Sequence, residues 1–398
     1  MEQVSTRLAV LSPSATLAMT QKSAELKAKG IDVISLSIGE PDFFTPENVK
    51  EAAKKAIDDN FSFYTPVPGY LSLRQAICQK LKKENGLDYT PEQIVCANGA
   101  KQAICNVILS IISKDDEVII PTPYWVSYSE MVKLAEGTNV FVNAGSEQNF
   151  KMTAKQLEDA ITPKTRALIL CSPSNPTGAV YSKEELKALA DVLAKNPRVI
   201  VIADEIYEHI VYNGKNESIA QFADIKDRVC IINGVSKCYA MTGYRLGWVA
   251  APVWIAKAVN KLQGQYTSGP SSIAQKAAEA AYLGPQDSVE IMRQNFERRR
   301  NLIVKLANEI PGFKTTVPDG AFYIFPEVDS YFGKKTPNGD LIKDDNDLAM
   351  YLLNVANVAC VAGTAFGNPK CLRFSYATSD EKITEAFSRI SNALSKLS

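Results

Sequence analysis

Histidine is almost missing from this sequence: His209 is the only one in 398 residues. A metal site held by several histidines is therefore excluded, and a Ser-His-Asp triad could be built only around that one position. Net charge is missing too. Lys plus Arg and Asp plus Glu are both 44, giving a formal charge of zero, so the electrostatic basis for broad nucleic-acid or anionic-membrane binding is absent. A local basic pocket for a small anion stays open. No stretch reaches about 18 apolar residues, and MEQVSTRLAVLSPSATLAM has no basic start followed by an apolar core, so neither a membrane span nor a signal peptide is expected. There is no Gly-x-Gly-x-x-Gly fingerprint and no P-loop spacing.

The eight cysteines form no Cys-x-x-Cys pair, which argues against a zinc ribbon or a dithiol redox motif. Cys78, Cys96, Cys105, Cys171 and Cys230 lie inside apolar, regular-looking segments. Buried free thiols in a reducing, cytoplasmic compartment are the plain expectation.

Apolar runs of strand length alternate with amphipathic runs of helix length. Strands are expected at 33–37, 93–97, 117–121, 138–143, 166–171, 198–203, 228–233 and 246–251, and helices at 46–58, 70–84, 99–113, 124–135, 183–194 and 254–282. Continuous apolar runs such as Ala167–Cys171 and Val199–Ala203 suit strands covered on both faces, as in a mostly parallel sheet. Thr45 and Ser182, each followed by acidic residues, read as helix caps. The alternation predicts a doubly wound α/β domain. After about residue 283 a long charged helix (288–308), short strands (320–327 and 371–376) and a terminal helix from Asp380 read as a smaller α+β domain. The expected division is 46–283 for the larger domain and 1–45 with 284–398 for the smaller. The polar segment 328–346 reads as an exposed excursion.

Five local patterns carry chemistry. Lys237 follows an apolar strand, after Ser236 and among small and apolar neighbours, and Arg245 comes eight positions later. A lysine in an apolar pocket loses its charge easily and can attack a carbonyl; alone, such a lysine is usually a surface residue. Asp204 ends the run Ile200–Ala203, on the side where ligands enter open α/β sheets, with Tyr207 three residues on. Taken singly it is more often a cap or a structural carboxylate. Asn175-Pro-Thr-Gly178 follows another buried strand and could equally be a tight loop. Gly99-Ala100-Lys101 joins a strand to a helix, a turn whose amides suit an anion. Arg373 lies within an apolar strand, where it needs either an ion-pair partner or a bound carboxylate.

Taken together these patterns resemble the fold-type I, pyridoxal-phosphate-dependent aminotransferases of class I. The resemblance runs from about residue 10 to about residue 395 and rests on motifs in family order: Gly39-Glu-Pro-Asp, Tyr64-Thr-Pro-x-x-Gly69, Asn98-Gly-Ala-Lys, Pro123-Tyr-Trp125, Asn175-Pro-Thr-Gly, Asp204-Glu-Ile-Tyr207, Ser236-Lys237, Gly243-Tyr-Arg245-Leu-Gly and Arg373. It implies a large domain with a mostly parallel seven-stranded sheet wrapped by helices, a smaller α+β domain, and pyridoxal 5'-phosphate as cofactor, with no metal. It further implies that Lys237 forms the Schiff base and shuttles the substrate proton. Asp204 would pair with the pyridinium nitrogen, Tyr207 and Asn175 with the phenolic oxygen, and Trp125 would stack on the ring. Gly99, Ala100, Ser236 and Arg245 would hold the phosphate. Tyr64 would reach the phosphate of a neighbouring subunit, so a homodimer with shared sites is implied. Arg373 would clamp the α-carboxylate with Asn175, Trp125 and the Gly39 amide.

Side-chain specificity follows from a narrower resemblance. Pro13-Ser14-Ala-Thr16 and Lys101 look like the bacterial aspartate aminotransferase subgroup, where they read a second carboxylate. Lys101 could also serve as a phosphate counter-ion or lie exposed on its helix. Aspartate and 2-oxoglutarate are the expected pair. Alternatives are aromatic amino acids, prephenate or alanine as substrates, or carbon–sulfur lysis with the same cofactor. Tyr244-Arg-Leu-Gly-Trp248, Cys238 and Ser174 depart from the usual subgroup pattern.

Overall fold

A computed structural model describes residues 4–398. Its centre is a seven-stranded sheet. Across the sheet the order is Ile94–Ala97, Gly247–Ala250, Val229–Gly234, Ile200–Asp204, Thr165–Cys171, Glu117–Thr122 and Thr138–Asn143. Gly247–Ala250 runs antiparallel to both neighbours, and the other pairings are parallel.

The apolar runs are continuous because both faces are covered. Val118, Ile120, Ile200, Ile202, Cys230 and Ile232 join one core, against Ile104, Val107 and Ile108 of the helix Ala100–Ile111. Their neighbours Ile119, Val201, Ala203, Val229 and Ile231 join another, against Leu73 and Ile77 of Leu71–Asn85 and Leu186 and Leu189 of Lys183–Ala194. Alternate side chains point to opposite faces, so each strand feeds two cores.

A second body of structure surrounds a three-stranded antiparallel sheet, Val361–Ala362, Leu372–Ser375 and Tyr323–Ile324. Its core takes Phe296 and Ile303 from the long helix Asp287–Asn308, and Ile383, Phe387 and Ile390 from the terminal helix Asp380–Leu394. Ile206, Tyr207, Ile210 and Tyr212, just past a large-sheet strand, also belong to this core.

Several expectations need correction. The run at 33–37 is not a large-sheet strand: only Ile34–Ser35 is extended, paired in parallel with Val358–Ala359. The helix expected over 254–282 is two, Val253–Tyr266 and Ser272–Leu283. Ser268 (φ 57°) and Gly269-Pro270 break it, since proline cannot continue the ladder. The expected strand 320–327 shrinks to Tyr323–Ile324, flanked by single bridges at Gly320 and Glu327. Thr45 does not cap its helix; Pro46 takes the cap position and the Thr45 hydroxyl donates to the Ala240 carbonyl (2.9 Å). Ser182 caps as expected, in a capping box with Glu185. The 328–346 segment is anchored rather than free, because Tyr331 and Ile342 are buried and Asp345 begins a helix. The helix Ala15–Ala28 went unread: only Met19 and Ser23 are buried, so there is no apolar stripe to see. All eight cysteines are free thiols, although Cys78, Cys105 and Cys171 are only partly buried. Among the described residues no helix is long and apolar enough to cross a membrane.

Candidate active site

The ends of the parallel strands converge on one cavity of about 460 Å³. Ile200–Asp204 delivers Asp204 and then Tyr207; Val229–Gly234 delivers Ser236 and Lys237. Thr165–Cys171 is followed by Asn175, Glu117–Thr122 by Trp125, and Ile94–Ala97 by Gly99, Ala100 and Lys101. This is the edge of an open α/β sheet where loops diverge and leave room for a ligand. From the second body of structure come Gly39, Arg373, Ser14 and Thr16.

The Lys237 Nζ donates to the Gly39 carbonyl oxygen (2.6 Å) and lies 5.6 Å from the Tyr207 ring centre. Burial pushes its ammonium down from 10.5 to about 8; Arg373 and Arg245 push the same way, and Glu40 opposes them. Asp204 is 4% exposed. Burial raises its carboxyl, while the Tyr128 hydroxyl, the Ile206 N–H and the charge of Lys237 hold it back. The Tyr207 hydroxyl shares a hydrogen bond with that of Tyr323 (2.8 Å).

Three cations on this wall have no acidic partner among the described residues. Arg373 is 1% exposed and sits between the rings of Tyr323 (4.6 Å) and Phe366 (4.8 Å). It donates from Nη1 to the Asn175 side-chain oxygen (2.9 Å) and from Nη2 to the Ser37 carbonyl (2.6 Å), and its buried Nε has no partner. Arg245 donates to the carbonyls of Thr242 (2.9 Å) and Asn98 (3.2 Å). Gly99 has φ +85° and lies under this guanidinium, which a Cβ there would strike. Lys101 is the third, its Nζ 5.0 Å from the Trp125 ring centre. A buried guanidinium left without a carboxylate, as at Arg373, marks a place for an anion, and the exposed Arg245 lies at the same cavity.

Most of the residues singled out in the sequence therefore share this cavity. Two of them sit differently. Tyr64 is 99% exposed and outside the cavity of its own chain, the cavity of a neighbouring subunit being the one it is expected to reach. Lys101 is exposed rather than buried, because the first turn of its helix faces the cavity mouth. Tyr128, Tyr323, Glu40 and Thr242 line the cavity too and were not singled out. Tyr128 stands one helical turn past Trp125, a spacing that could have drawn notice; Tyr323 reads simply as a core strand residue.

The whole arrangement matches known proteins. Residues 31–390 match the family model for aminotransferase class I and II. A probable aspartate/prephenate aminotransferase of Rickettsia bellii is 49% identical over 399 residues, covering all of both chains. The crystal structure of the aspartate aminotransferase from Rhizobium meliloti superposes with a TM-score of 0.97 at 44% identity, again covering both chains fully. The Thermus thermophilus aspartate aminotransferase, solved with maleate, gives a TM-score of 0.92 at 39% identity, covering 99% of this chain and 100% of its own. The chain belongs to the class I and II aminotransferases.

As a member of that family it is a pyridoxal-phosphate-dependent aminotransferase. Its own side chains fit the cofactor. A buried carboxylate without a paired lysine or arginine suits a protonated ring nitrogen. A positive-φ glycine at a helix start, below an unpaired arginine, suits a phosphate. The lysine between them is desolvated enough to supply a neutral amine.

Proposed function

We propose that this aminotransferase moves the amino group of L-aspartate to 2-oxoglutarate, giving oxaloacetate and L-glutamate, by a ping-pong mechanism centred on Lys237. The observation that carries the reading is the pair of cations, Arg373 and Lys101, that reach one cavity from distant parts of the chain. A dicarboxylic substrate satisfies both. Arg373 receives the α-carboxylate; Lys101, with the hydroxyls of Ser14 and Thr16, receives the second one. The Thr16 hydroxyl is buried with no partner of its own. Maleate in the Thermus thermophilus relative is likewise a dicarboxylate.

Pyridoxal phosphate supplies an aldehyde carbon and an electron-withdrawing ring. The chain supplies the rest. The Lys237 amine would carry a proton from the substrate Cα to the carbon of the cofactor aldehyde; burial, which brings its pKa down to about 8, keeps part of it neutral near pH 7. Asp204 faces the ring nitrogen, Tyr207 and Asn175 the phenolic oxygen, and Trp125 the ring face. Ser236, Arg245 and the amides of Gly99 and Ala100 hold the phosphate. The Gly39 segment lies over Lys237 and offers its amide to the substrate. Residues 46–283 serve as the cofactor-binding domain, and 1–45 with 284–398 as the part that closes on substrate. The Arg373–Asn175 hydrogen bond joins the two.

The working unit is a cytoplasmic homodimer in which Tyr64 completes the phosphate site of the second copy. Its full exposure, beside the exposed Phe63 (81%), supports this, since adjoining exposed apolar side chains mark contact surfaces. Prephenate, named for the Rickettsia relative, is also a 2-oxo acid with a second carboxylate, so the same cations accommodate it as an amino acceptor.

A single-turnover screen of amino acids against the cofactor absorption tests the reading. Aspartate and glutamate should react well ahead of alanine and phenylalanine. Lys101→Ala should raise half-saturation for aspartate about fivefold to tenfold, the worth of one partly solvated charge contact, and leave alanine unmoved. Equal effects on both would count against the dicarboxylate reading.

A further inference from the structure

Asp204 is held by more than its strand. Its Oδ1 accepts the Ile206 N–H (3.3 Å) and its Oδ2 accepts the hydroxyl of Tyr128 (2.5 Å). Tyr128 is 2% exposed and comes from the first turn of the helix Ser127–Leu134. Its ring meets Trp125 edge-on, with centroids 5.3 Å apart, so one short segment supplies both the indole and the phenol. Strand pairing sets Cys171 directly beside Asp204. Burial and the neighbouring carboxylate push the ionisation of this phenol far above its ordinary range. It is therefore a fixed donor.

We propose that Tyr128 is a positioning residue of the amino-transfer reaction: its hydroxyl fixes the orientation and charge of Asp204, and through Asp204 the proton on the ring nitrogen of the cofactor. The proposal rests on reading Asp204 as the partner of that nitrogen. The carboxylate and the ring nitrogen compete for one proton. A donor on Oδ2 stabilises the charged carboxylate and lowers its appetite for the proton, which then stays on the nitrogen. Without the donor the proton drifts toward Asp204 and the ring draws electrons less strongly. Nothing in this chain of effects touches substrate binding, so the signature is a fall in kcat with KM held.

The test uses holoenzyme loaded with cofactor labelled with nitrogen-15 in the ring. Nitrogen resonance and steady-state kinetics are measured for the wild type, Tyr128→Phe and Asp204→Asn. Tyr128→Phe should move the resonance part of the way toward that of an unprotonated ring. Its kcat should fall about tenfold to a hundredfold, the range for a hydrogen bond to a charged group, with KM for aspartate changed less than about twofold. Placing 3-fluorotyrosine at position 128 keeps the shape but strengthens the donor, and should move the resonance the opposite way. A resonance that shifts in Asp204→Asn but stays put in Tyr128→Phe and with 3-fluorotyrosine makes Tyr128 a packing residue and overturns the proposal. A resonance unmoved even by Asp204→Asn overturns the reading of Asp204 as well.

Discussion

The turn that follows Ile200–Asp204 has two faces, and they treat charge in opposite ways. Asp204 and Tyr207 face the cavity. Glu205, Glu208 and His209 face away from it, into a buried cluster. There the Lys80 ammonium lies against Glu208 and 3.4 Å from Glu84, and His209 Nε2 is 2.9 Å from Glu84. Asn233 (2.7 Å) and Asn85 (3.1 Å) donate to Glu208 as well. Burial works against the Glu208 charge, but Lys80 and His209 outweigh it and hold the carboxyl at about 2. Burial likewise works against Lys80 and His209, and the acids raise both. The remaining acid, Glu205, is pushed up to about 8 by burial and by Glu208, and is neutral near pH 7. Two anions then face two cations. On the cavity side Lys237, Arg373, Arg245 and Lys101 form no ion pair with any described residue, Glu40 and Asp204 acting on Lys237 only at a distance. Charges matched inside the protein hold the turn in place; charges left unmatched are where a ligand belongs.

Removing one charge from each face separates the two roles. The largest effect is expected at the cavity. Lys237→Ala should cut half-reaction turnover by about 10²–10⁴-fold, the span for a positioned proton carrier, while the protein still binds the cofactor. Stability should hold or rise, because a desolvated cation is gone. Turnover near the wild-type rate would end the proton-carrying role.

Lys80→Met is the matching change behind the turn. It leaves buried Glu208 with His209 as its one cation, beside the neutral donors Asn233 and Asn85, and should cost about 3–5 kcal/mol in urea unfolding, as for half of a broken buried pair. Activity of the folded holoenzyme should change far less. Full stability with lost activity would mean that the two faces are not separate devices.

These two regions also differed in how well the sequence could be read. Asp204 and Lys237 stood out because each follows a continuous apolar run, and runs of that kind have few meanings other than a strand buried on both faces. Arg373 stood out as a charge in an apolar strand. Lys80 and Glu84 did not, because an i, i+4 pair of opposite charges is the pattern of a solvent-facing helix; here Lys80 is 1% exposed. Tyr128 and Tyr323 were hidden by their own chemistry, since a buried aromatic looks the same whether it fills space or donates a hydrogen bond. Ser14 and Thr16 came from family resemblance, because their helix has no apolar stripe to announce it. The break at Ser268 was the opposite case: Gly269-Pro270 was visible, but apolar periodicity on both sides masked it.

The smallest effect is one of pH, and it bears on the unmatched charges directly. Below about pH 8 Lys237 is mainly a cation among cations; above it, a free amine. In cofactor-free protein the rate of borohydride trapping with added pyridoxal should therefore climb with pH and level off near 8, whereas a solvated lysine would keep climbing toward 10.5. The same shift has a stability consequence of defined sign. Below 8 both folded and unfolded chains bind the proton, and the folded chain bears the full cost of a buried ammonium. Between 8 and 10.5 only the unfolded chain still binds it, so this residue's drag on stability is relieved as pH rises. Because burial is the leading cause and the arginines add to it, Arg245→Ala should move the levelling-off point upward only modestly. A point already at the solvated value in the wild type would mean that the amine is not desolvated, and the contrast between the two faces would lose its basis.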